Sequence, residues 1–258
     1  MIVVYAMGGG LGHLARTRRV LAALEPEGTQ ATVITASPLA AAIPFGGNTE
    51  VIVAPRDRAA FPRWLKDTLQ GLAPDTVLVD AFPLGIFGEL ADQSLLPEAK
   101  LVHVARLLRW NAYRSAFPGT PRRYDATFVV EALTPAHASF IRDHSARVES
   151  LALAAPAAPP LESGAPWLIS HTGPQSEVDA LHAFARREAA RRGERPRFAF
   201  RTPGAPGFES FGALVTACGF NSMLEGEAYG PRHFFLPLAR RFDNQPLRAV
   251  RRRRELRA

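Results

Sequence analysis

Short β-branched runs alternate with stretches of helical periodicity over the first 150 residues, and this alternation constrains the fold more than any other feature. It is typical of a parallel, doubly wound sheet with helices packed on both faces. Strands are predicted at residues 2–5, 31–35, 51–54, 76–80, 101–105 and 127–130. Between the first two strands, apolar residues and a threonine at helical spacing predict a buried helix face at Leu14, Thr17, Leu21 and Leu24.

A second alternating set follows a stretch rich in proline and alanine. Residues 152–166 carry no hydrophobic period, so they are typical of an extended connector. Beyond it, strands are predicted at residues 167–170, 198–200, 213–217 and 233–236, and helices at 177–191, 223–229 and from about 245. The predicted fold class is α/β, with a Rossmann-like domain at residues 1–151 and a second, unusually small one at 167–258. Residues 202–209 offer only a loop of proline and glycine where a larger domain would have a further helix and strand.

The composition is that of an ordinary folded protein. Of the 258 residues, 47% are apolar and 21% charged, and no apolar run reaches the roughly 18 residues of a membrane span. The N-terminus has no basic flank and reaches glycines too soon for a signal-peptide core, so a cytoplasmic location is expected. Because Cys218 is the single cysteine and no metal-ligand spacing is visible elsewhere, neither a disulfide, a metal nor a cofactor is expected.

The net charge of +7 is concentrated at the C-terminal end. Residues 240–258 contain eight arginines and two acidic residues, so the rest of the chain is nearly neutral. Because lysine occurs only at Lys66 and Lys100, we attribute the excess of arginine to genomic base composition. Nucleic-acid binding is disfavoured, since no known reading motif is present.

The four arginines at residues 251–254 have two interpretations. Cations in the last turn of a terminal helix stabilise it through the helix dipole. Adjacent arginines also attract an anionic surface by about 1 kcal/mol each, so a peripheral contact with the inner membrane face is the alternative. Too few apolar residues accompany them for deep insertion.

A glycine-rich loop, Gly8-Gly9-Gly10-Leu11-Gly12-His13, lies between the first predicted strand and the first predicted helix. Its backbone N–H groups and the helix dipole favour an anionic or polar ligand. A dinucleotide fingerprint needs glycine at position 13 and an acidic residue after the second strand, but the chain has His13 and Thr35-Ala36-Ser37, so NAD is disfavoured. A P-loop is excluded because no lysine is near.

His13 and Asp80 are the candidate catalytic residues. His13 is expected at the carboxyl edge of a parallel sheet, where such folds bind ligands, and an imidazole accepts a hydroxyl proton near neutral pH. Asp80 ends an apolar strand, so it is expected at the same edge, where a carboxylate would orient the ring and stabilise the imidazolium. The alternatives are a histidine bonded to a nearby carbonyl and an aspartate that caps the helix after Pro83.

The segment at residues 216–225, Thr-Ala-Cys-Gly-Phe-Asn-Ser-Met-Leu-Glu, resembles the donor signature of GT-B UDP-glycosyltransferases. In that family a strand ends at a loop of the form His-Cys-Gly-Trp-Asn-Ser, a helix with a glutamate follows, and an acidic-Gln pair comes after the next strand. The matching residues are Cys218, Gly219, Asn221, Ser222 and Glu225, with Phe220 in place of the aromatic. Asp243 and Gln245 resemble the acidic-Gln pair, although Asn244 is inserted between them.

The opening loop resembles the acceptor-domain loop of the peptidoglycan UDP-GlcNAc transferase and its relatives, which implies that Gly10 and Gly12 belong to an acceptor loop. In plant-type members of the superfamily, a histidine placed like His13 is the base and an aspartate placed like Asp80 is its partner. The resemblance also implies that Glu225 binds the ribose of the donor. It assigns the sugar hydroxyls to Asp243 and Gln245.

The chemistry of a nucleotide-sugar donor is compatible with these residues. A diphosphate needs hydrogen-bond donors at a helix N-terminus, which Asn221 and Ser222 would supply, and a ribose diol suits the carboxylate of Glu225. Thr172 and Gly173 follow another strand and would line the opposite wall. A metal is not required if the helix dipole and hydroxyls neutralise the leaving diphosphate.

The resemblance therefore implies an inverting, metal-independent transfer of a sugar from a nucleoside-diphosphate donor, UDP-linked, to a hydroxyl acceptor that the sequence does not identify. One alternative is that Gly219 is only a turn glycine and Glu225 a surface residue. Another is a catalytically weakened GT-B-like protein that binds a nucleotide sugar or a partner enzyme without turnover. Ala217, where many family members have a phosphate-facing histidine, and the small second domain keep that alternative open.

Overall fold

The computed structural model describes residues 1–8, 10–24, 29–155, 160–201 and 210–257. Gly9 of the glycine loop, residues 156–159 of the predicted connector and the predicted loop at 202–209 lie outside these ranges. The chain divides into two compact units, Met1–Leu153 and Ala154–Ala258. The described strands of each unit form a parallel sheet, which confirms the predicted α/β class with a smaller second unit.

The strands of the first unit are β1 (Ile2–Tyr5), β2 (Ala31–Thr35), β3 (Thr49–Val53), β4 (Thr76–Asp80), β5 (Lys100–Ala105), β6 (Ala126–Val129) and β7 (Val148–Ser150). They pair in the order β3-β2-β1-β4-β5-β6-β7. Each of the six strands expected from the sequence is present within two residues of its predicted bounds. β7 escaped prediction because its residues are all exposed and show no apolar alternation.

The helices of the first unit are α1 (Leu11–Leu24), α2 (Phe61–Leu72), α3 (Trp110–Ala116) and α4 (Pro135–Asp143). α1 buries Leu14 and Thr17 as predicted, but Leu21 and Leu24 are only half-buried. The buried face instead includes Arg16, a charged residue that must be paired where it is buried.

The strand order of the first sheet reverses between β1 and β4, because the chain runs outward from β1 to β3 and then returns to the other side of β1. In open α/β sheets, ligands bind in the crevice at such a switch point, beyond the carboxyl ends of the strands. The glycine loop follows β1 and Asp80 is the last residue of β4. Both candidate catalytic positions therefore lie at the switch point.

The second unit contains the strands β8 (Trp167–Ser170), β9 (Phe198–Arg201), β10 (Ala213–Ala217) and β11 (His233–Leu236), and the helices α5 (Gln175–Arg191), α6 (Phe220–Gly226) and α7 (Gln245–Glu255). The strands pair in the order β11-β10-β8-β9, so the order reverses between β8 and β10. α6 has the predicted length of seven residues but begins and ends three residues earlier than predicted, and the chain continues from Gly226 as a 3-10 turn, Glu227–Arg232.

Part of the predicted connector belongs to the second unit. Leu161 forms an isolated parallel bridge with Phe211, and the Glu162 N–H donates to the Phe211 carbonyl at 3.1 Å. The Gly212 N–H donates to the Pro166 carbonyl at 2.9 Å. Backbone pairing of this kind leaves no periodic pattern in the sequence, which explains why the stretch resembled a free connector.

The second core lies around Trp167, whose ring stacks on Phe234 at 4.7 Å between centroids. α5 covers it with Leu181, Ala185 and Ala189. Among the described helices, none is both long and apolar enough to cross a bilayer.

Candidate active site

A histidine, an aspartate and an arginine meet at the switch point of the first sheet. His13 Nδ1 lies 2.6 Å from Asp80 Oδ2, so the two residues expected at one sheet edge are in direct contact. Arg16 donates from Nε to Asp80 Oδ1 at 2.7 Å and from Nη2 to Asp80 Oδ2 at 2.6 Å. Only 2% of the Asp80 side chain is exposed. The carboxylate is thus buried, paired and shared by two partners.

The protonation of this cluster follows from its contacts. Burial alone would raise the pKa of Asp80, but the charge of Arg16 and the hydrogen bonds from His13 and Arg16 hold that pKa well below its usual range. An ionised carboxylate only accepts, so His13 Nδ1 must carry a proton and Nε2 must carry the lone pair of a neutral ring. Burial lowers the pKa of His13, although the bond to Asp80 opposes the shift. A neutral imidazole with Nε2 as acceptor is the form that a general base needs.

Two neighbours fix the plane of the His13 ring. A Cβ atom added at Gly8 would lie 2.1 Å from His13 Cδ2, so the ring occupies space that only glycine leaves open. On another side, the Phe82 ring centroid lies 5.6 Å from that of His13. Phe82 follows Ala81, whose φ of 66° places a non-glycine residue in the left-handed region directly after Asp80. Such strain is concentrated at functional sites.

Arg16 and Arg106 were missed by the sequence interpretation. Arg16 lies one turn after His13 on α1, so the pattern His-x-x-Arg was the available signal. Arg106 directly follows β5, the neighbour of β4, and its buried charge helps to lower the pKa of His13. One arginine on α1 and one after β5 therefore place positive charge near the histidine, and Asp80 is the carboxylate that the structure shows bound to it.

The glycines predicted for an acceptor loop, Gly10 and Gly12, lie at the start of α1 and are exposed. A Cβ atom at Gly10 would meet no other atom within 4 Å. Contact with an acceptor remains a prediction for both residues.

The predicted donor residues of the second unit lie on two loops and a helix at the carboxyl edge of its sheet. Thr172 and Gly173 follow β8, and Gly219 is the N-cap of α6. Because Ser170 pairs with Thr216 in register, these two loops leave neighbouring strands at the switch point. Asn221, Ser222 and Glu225 continue along α6, and all three are partly buried. The structure thus brings these residues to one edge, while their role in donor binding remains a prediction.

Asp243 and Gln245 are engaged within the protein. Arg248 Nη2 donates to Asp243 Oδ1 at 3.0 Å, and the Leu238 N–H donates to Gln245 Oε1 at 2.9 Å. Asn244 caps α7, since its side chain accepts from the Leu247 N–H at 3.3 Å. The inserted asparagine is therefore explained by helix capping. Binding of sugar hydroxyls by Asp243 and Gln245 stays a prediction.

A second histidine cluster, missed by the sequence interpretation, lies beside the predicted donor loops. His171 Nε2 lies 2.6 Å from Glu177 Oε2. Arg240 donates to Glu177 Oε1 at 2.5 Å and to Oε2 at 2.6 Å. The hydrogen bond from Arg240, and then that from His171, lowers the pKa of Glu177 against the effect of burial. The sequence interpretation used Glu177 only as the start of a helix. Glu177 and Arg240 are 63 residues apart, so the sequence gave no signal of their contact.

Cys218 has a structural role. Its side chain is buried with Met223, Phe235 and Ala249, and burial raises its thiol pKa to about 12. A thiol in this state is not a nucleophile near neutral pH.

The second unit has a cavity of about 630 Å³ that does not include the predicted donor residues. Its walls include Trp167, Arg197, Gly212 and Arg232, which stand at or just before the amino ends of the four strands. The predicted donor loops leave the opposite, carboxyl ends. Since α/β sheets bind ligands beyond the carboxyl ends of their strands, we do not assign the donor site to this cavity.

No family model and no curated protein matches the chain. Among solved structures, the spinosyn rhamnosyltransferase SpnG complexed with thymidine diphosphate is similar, with a TM-score of 0.48 and 16% sequence identity. The similarity covers 93% of this chain and 81% of that one. A likeness this distant assigns neither a family nor an activity, so we base the assignment of function on the residues and contacts described above.

Proposed function

We propose that the protein transfers a sugar from a nucleoside-diphosphate donor to a hydroxyl acceptor, with His13 as the general base. The observation that carries this proposal is the 2.6 Å contact between His13 Nδ1 and Asp80 at the switch point of the first sheet. It fixes the tautomer in which Nε2 accepts a proton. The sequence resemblance at residues 216–225 supports a nucleotide-sugar donor.

The reaction would proceed as an inverting displacement. His13 Nε2 takes the proton of the acceptor hydroxyl as the acceptor oxygen forms its bond to the anomeric carbon. The bond from that carbon to the donor phosphate breaks, and the nucleoside diphosphate leaves with the bonding electrons. Asp80 stabilises the resulting imidazolium, and because Arg16 keeps Asp80 ionised, the proton stays on His13 during this step.

The donor would be bound by the second unit. N–H groups and hydroxyls at the Gly219–Ser222 turn would face the diphosphate, Glu225 would accept from the ribose, and Thr172 would line the facing loop. UDP is the nucleotide that the resemblance favours, and no metal is invoked because the donors at this turn offset the charge of the leaving group.

Replacement of His13 tests the proposed function. We expect His13→Ala to lower turnover of UDP-sugars by about 10²–10⁴-fold with little change in UDP affinity, since the histidine acts on the acceptor. UDP release and calorimetry measure the two quantities. Turnover that survives in His13→Ala would refute the assignment of the base.

A second candidate function, donor binding without turnover, is favoured by specific contacts. Ala217 offers no donor group, the Gln245 carbonyl is occupied by Leu238, and Asp243 is paired with Arg248. Under this alternative, UDP-sugars bind the wild-type protein but release no UDP with any hydroxyl acceptor or with water. Release of UDP that depends on His13 would exclude it.

A further inference from the structure

The cluster of His171, Glu177 and Arg240 joins two segments at the carboxyl edge of the second sheet. His171 lies in the loop after β8, and Glu177 is in the first turn of α5, which that loop enters. Arg240 comes from the segment between β11 and α7, which also contains Asp243. One carboxylate therefore accepts hydrogen bonds from both sides of the predicted donor site.

We propose that Glu177 is a positioning residue that holds these two segments together and thereby sets the affinity for the diphosphate of the donor. The proposal rests on the proposed function only in taking a nucleoside diphosphate as the ligand of this edge. Glu177 itself need not touch the ligand. Its role is to fix His171 and Arg240, and with them the backbone on which Thr172 and Asp243 stand.

The strength of the contact supports a fixed geometry. Arg240 binds both carboxylate oxygens of Glu177, a forked arrangement that restricts orientation as well as distance. The Glu177 side chain is 20% exposed, so its hydrogen bonds are only partly screened by water. A carboxylate in the first turn of a 17-residue helix is also favoured by the helix dipole.

Gly173 shows how closely the loop packs on this pair. A Cβ atom there would lie 2.2 Å from both His171 Nε2 and Glu177 Oε2. The backbone of the loop therefore rests directly against the histidine–carboxylate contact. Under the proposal, the loop that carries Thr172 depends on the position of Glu177.

The contact from Glu177 differs from two other hydrogen bonds that hold the 237–244 segment. Gln245 and Arg248, which bind Leu238 and Asp243, both belong to α7, the helix that this segment enters. Glu177 instead belongs to α5, on the far side of the switch point. Among these contacts of the segment, the one from Glu177 therefore joins it to the loop after β8.

The position at the switch point indicates which part of the ligand responds. The two segments flank the start of α6, where the diphosphate is proposed to lie, whereas Glu225, proposed for the ribose, is farther along that helix. A nucleoside diphosphate should bind more tightly than its nucleoside because of contacts to the diphosphate. We expect this gain in affinity to depend on Glu177, and the affinity for the nucleoside alone to be independent of it.

The experiment compares Glu177→Gln with Glu188→Gln, a matched control on the same helix. Glu188 is also paired with an arginine, Arg191, and its side chain is 19% exposed. Calorimetry gives the affinities for UDP and dTDP, and saturation-transfer NMR gives those for uridine and thymidine. We expect Glu177→Gln to weaken the diphosphates about tenfold or more. Nucleoside binding, and every affinity of Glu188→Gln, should stay within about twofold of wild type.

A double-mutant cycle and hydrogen exchange add readouts that separate positioning from charge. If Glu177 acts through Arg240, the two substitutions should not add. The double variant Glu177→Gln/Arg240→Gln should then bind UDP no more weakly than the single variant with the lower affinity. Amides of residues 237–244 should exchange faster in Glu177→Gln and unchanged in Glu188→Gln.

Several results would overturn the proposal. Tighter diphosphate binding by Glu177→Gln would show that Glu177 competes with phosphate for the cations. Equal weakening of nucleosides and diphosphates, or wild-type affinity in the variant, would remove the positioning role. Failure of the wild-type protein to bind any of the four probes would overturn the proposal together with the donor assignment. The wild-type protein could instead bind UDP in a way that depends on Glu177 and yet show no turnover that depends on His13. That result would refute the proposed function alone.

Discussion

The two units place the same set of residue types at the same point of their sheets. Each has a histidine in the segment that follows its first strand, a carboxylate that binds the histidine, an arginine that binds both oxygens of that carboxylate, and a glycine that leaves room for the ring. In the first unit these include His13, Asp80 and Gly8, and in the second His171, Glu177 and Gly173. The difference lies in where the carboxylate comes from and which ring nitrogen it takes.

Asp80 ends a central strand and is almost fully buried, whereas Glu177 lies on a helix and is partly exposed. The aspartate takes Nδ1 of His13, which leaves Nε2 as acceptor, as in catalytic triads. The glutamate takes Nε2 of His171 and also secures a segment from elsewhere in the unit. A strand-borne carboxylate suits a fixed base, and a helix-borne one suits the joining of two walls.

The largest difference should appear when each carboxylate loses its charge. Asp80→Asn leaves Arg16 buried without its counter-ion, so we expect the free energy of unfolding to fall by about 3–5 kcal/mol. Glu177→Gln leaves cations that water can reach, and we expect a loss of about 1 kcal/mol or less. Denaturant unfolding measures both. Equal losses would mean that the difference in burial does not decide the energetics.

Nucleotide binding should distinguish the two units, because the donor is proposed to bind the second one. Glu225→Ala should weaken UDP binding by roughly 1.5–3 kcal/mol, because a charge-assisted hydrogen bond to the ribose is lost. The exposed Glu227, two residues later, provides a control, and Glu227→Ala should leave the affinity unchanged. Calorimetry that gives wild-type affinity for Glu225→Ala would remove this residue from the donor site.

The glycines test whether ring packing matters in both clusters. Gly8→Ala would force a methyl group against the His13 ring, at a cost of about 1–3 kcal/mol and with loss of turnover. Gly173→Ala should cost a similar amount and weaken diphosphate binding instead. Gly10→Ala meets open space and is the control for the free energy of unfolding. Equal free energies of unfolding for Gly8→Ala and Gly10→Ala would contradict the packing of Gly8 on the His13 ring.

Acid should destabilise the first unit more than the second. Burial lowers the pKa of His103 and of His233 to about 4, and that of His137 to about 3. Below the ordinary value of about 6.5 the unfolded chain binds protons that the folded chain does not, so stability is complete above that pH and falls as pH drops towards the folded pKa. The expected loss is about 1.4 kcal/mol per histidine for each pH unit in this window.

Two of these three histidines belong to the first unit. As the pH is lowered from 7 to 5, spectroscopic signals from the first unit should therefore report unfolding before those from the second. His137 stacks on Trp110 with ring centroids 4.1 Å apart, and His137→Phe keeps the stacking but removes the titration. The variant should show a shallower pH dependence than wild type. An identical slope would show that folding does not shift the pKa of His137.

Much of the fold could be predicted because it depends on local patterns. The strand that ends at Asp80 has three consecutive apolar residues, 77–79, and such continuous runs are typical of buried parallel strands. The pairing of His13 with Asp80 could be anticipated since both follow from the position of strand ends. β7 could not, because an exposed edge strand needs no apolar residues.

The arginines and Glu177 were missed for a different reason. An arginine on a helix is usually exposed to solvent, so the sequence does not indicate that Arg16 is buried. Its burial depends on the contact with Asp80, which comes from another element. Glu177 and Arg240 are 63 residues apart in sequence and meet through a loop whose course no periodicity reports. Ion pairs that depend on tertiary contacts leave no local signal, so the second cluster became visible only in the structure.

The smallest effect concerns the arginines at 251–254. Arg252 is paired with Glu255 and Arg253 lies over the Phe235 ring at 5.6 Å, so part of the run packs on its own unit. Replacing all four by glutamine should lower the free energy of unfolding by about 0.3–1 kcal/mol, because cations stabilise a helix C-terminus, and high salt should reduce the difference. Co-sedimentation tests the membrane interpretation. Enrichment on anionic over neutral vesicles that the variant loses would support it, and equal partitioning onto both would contradict it.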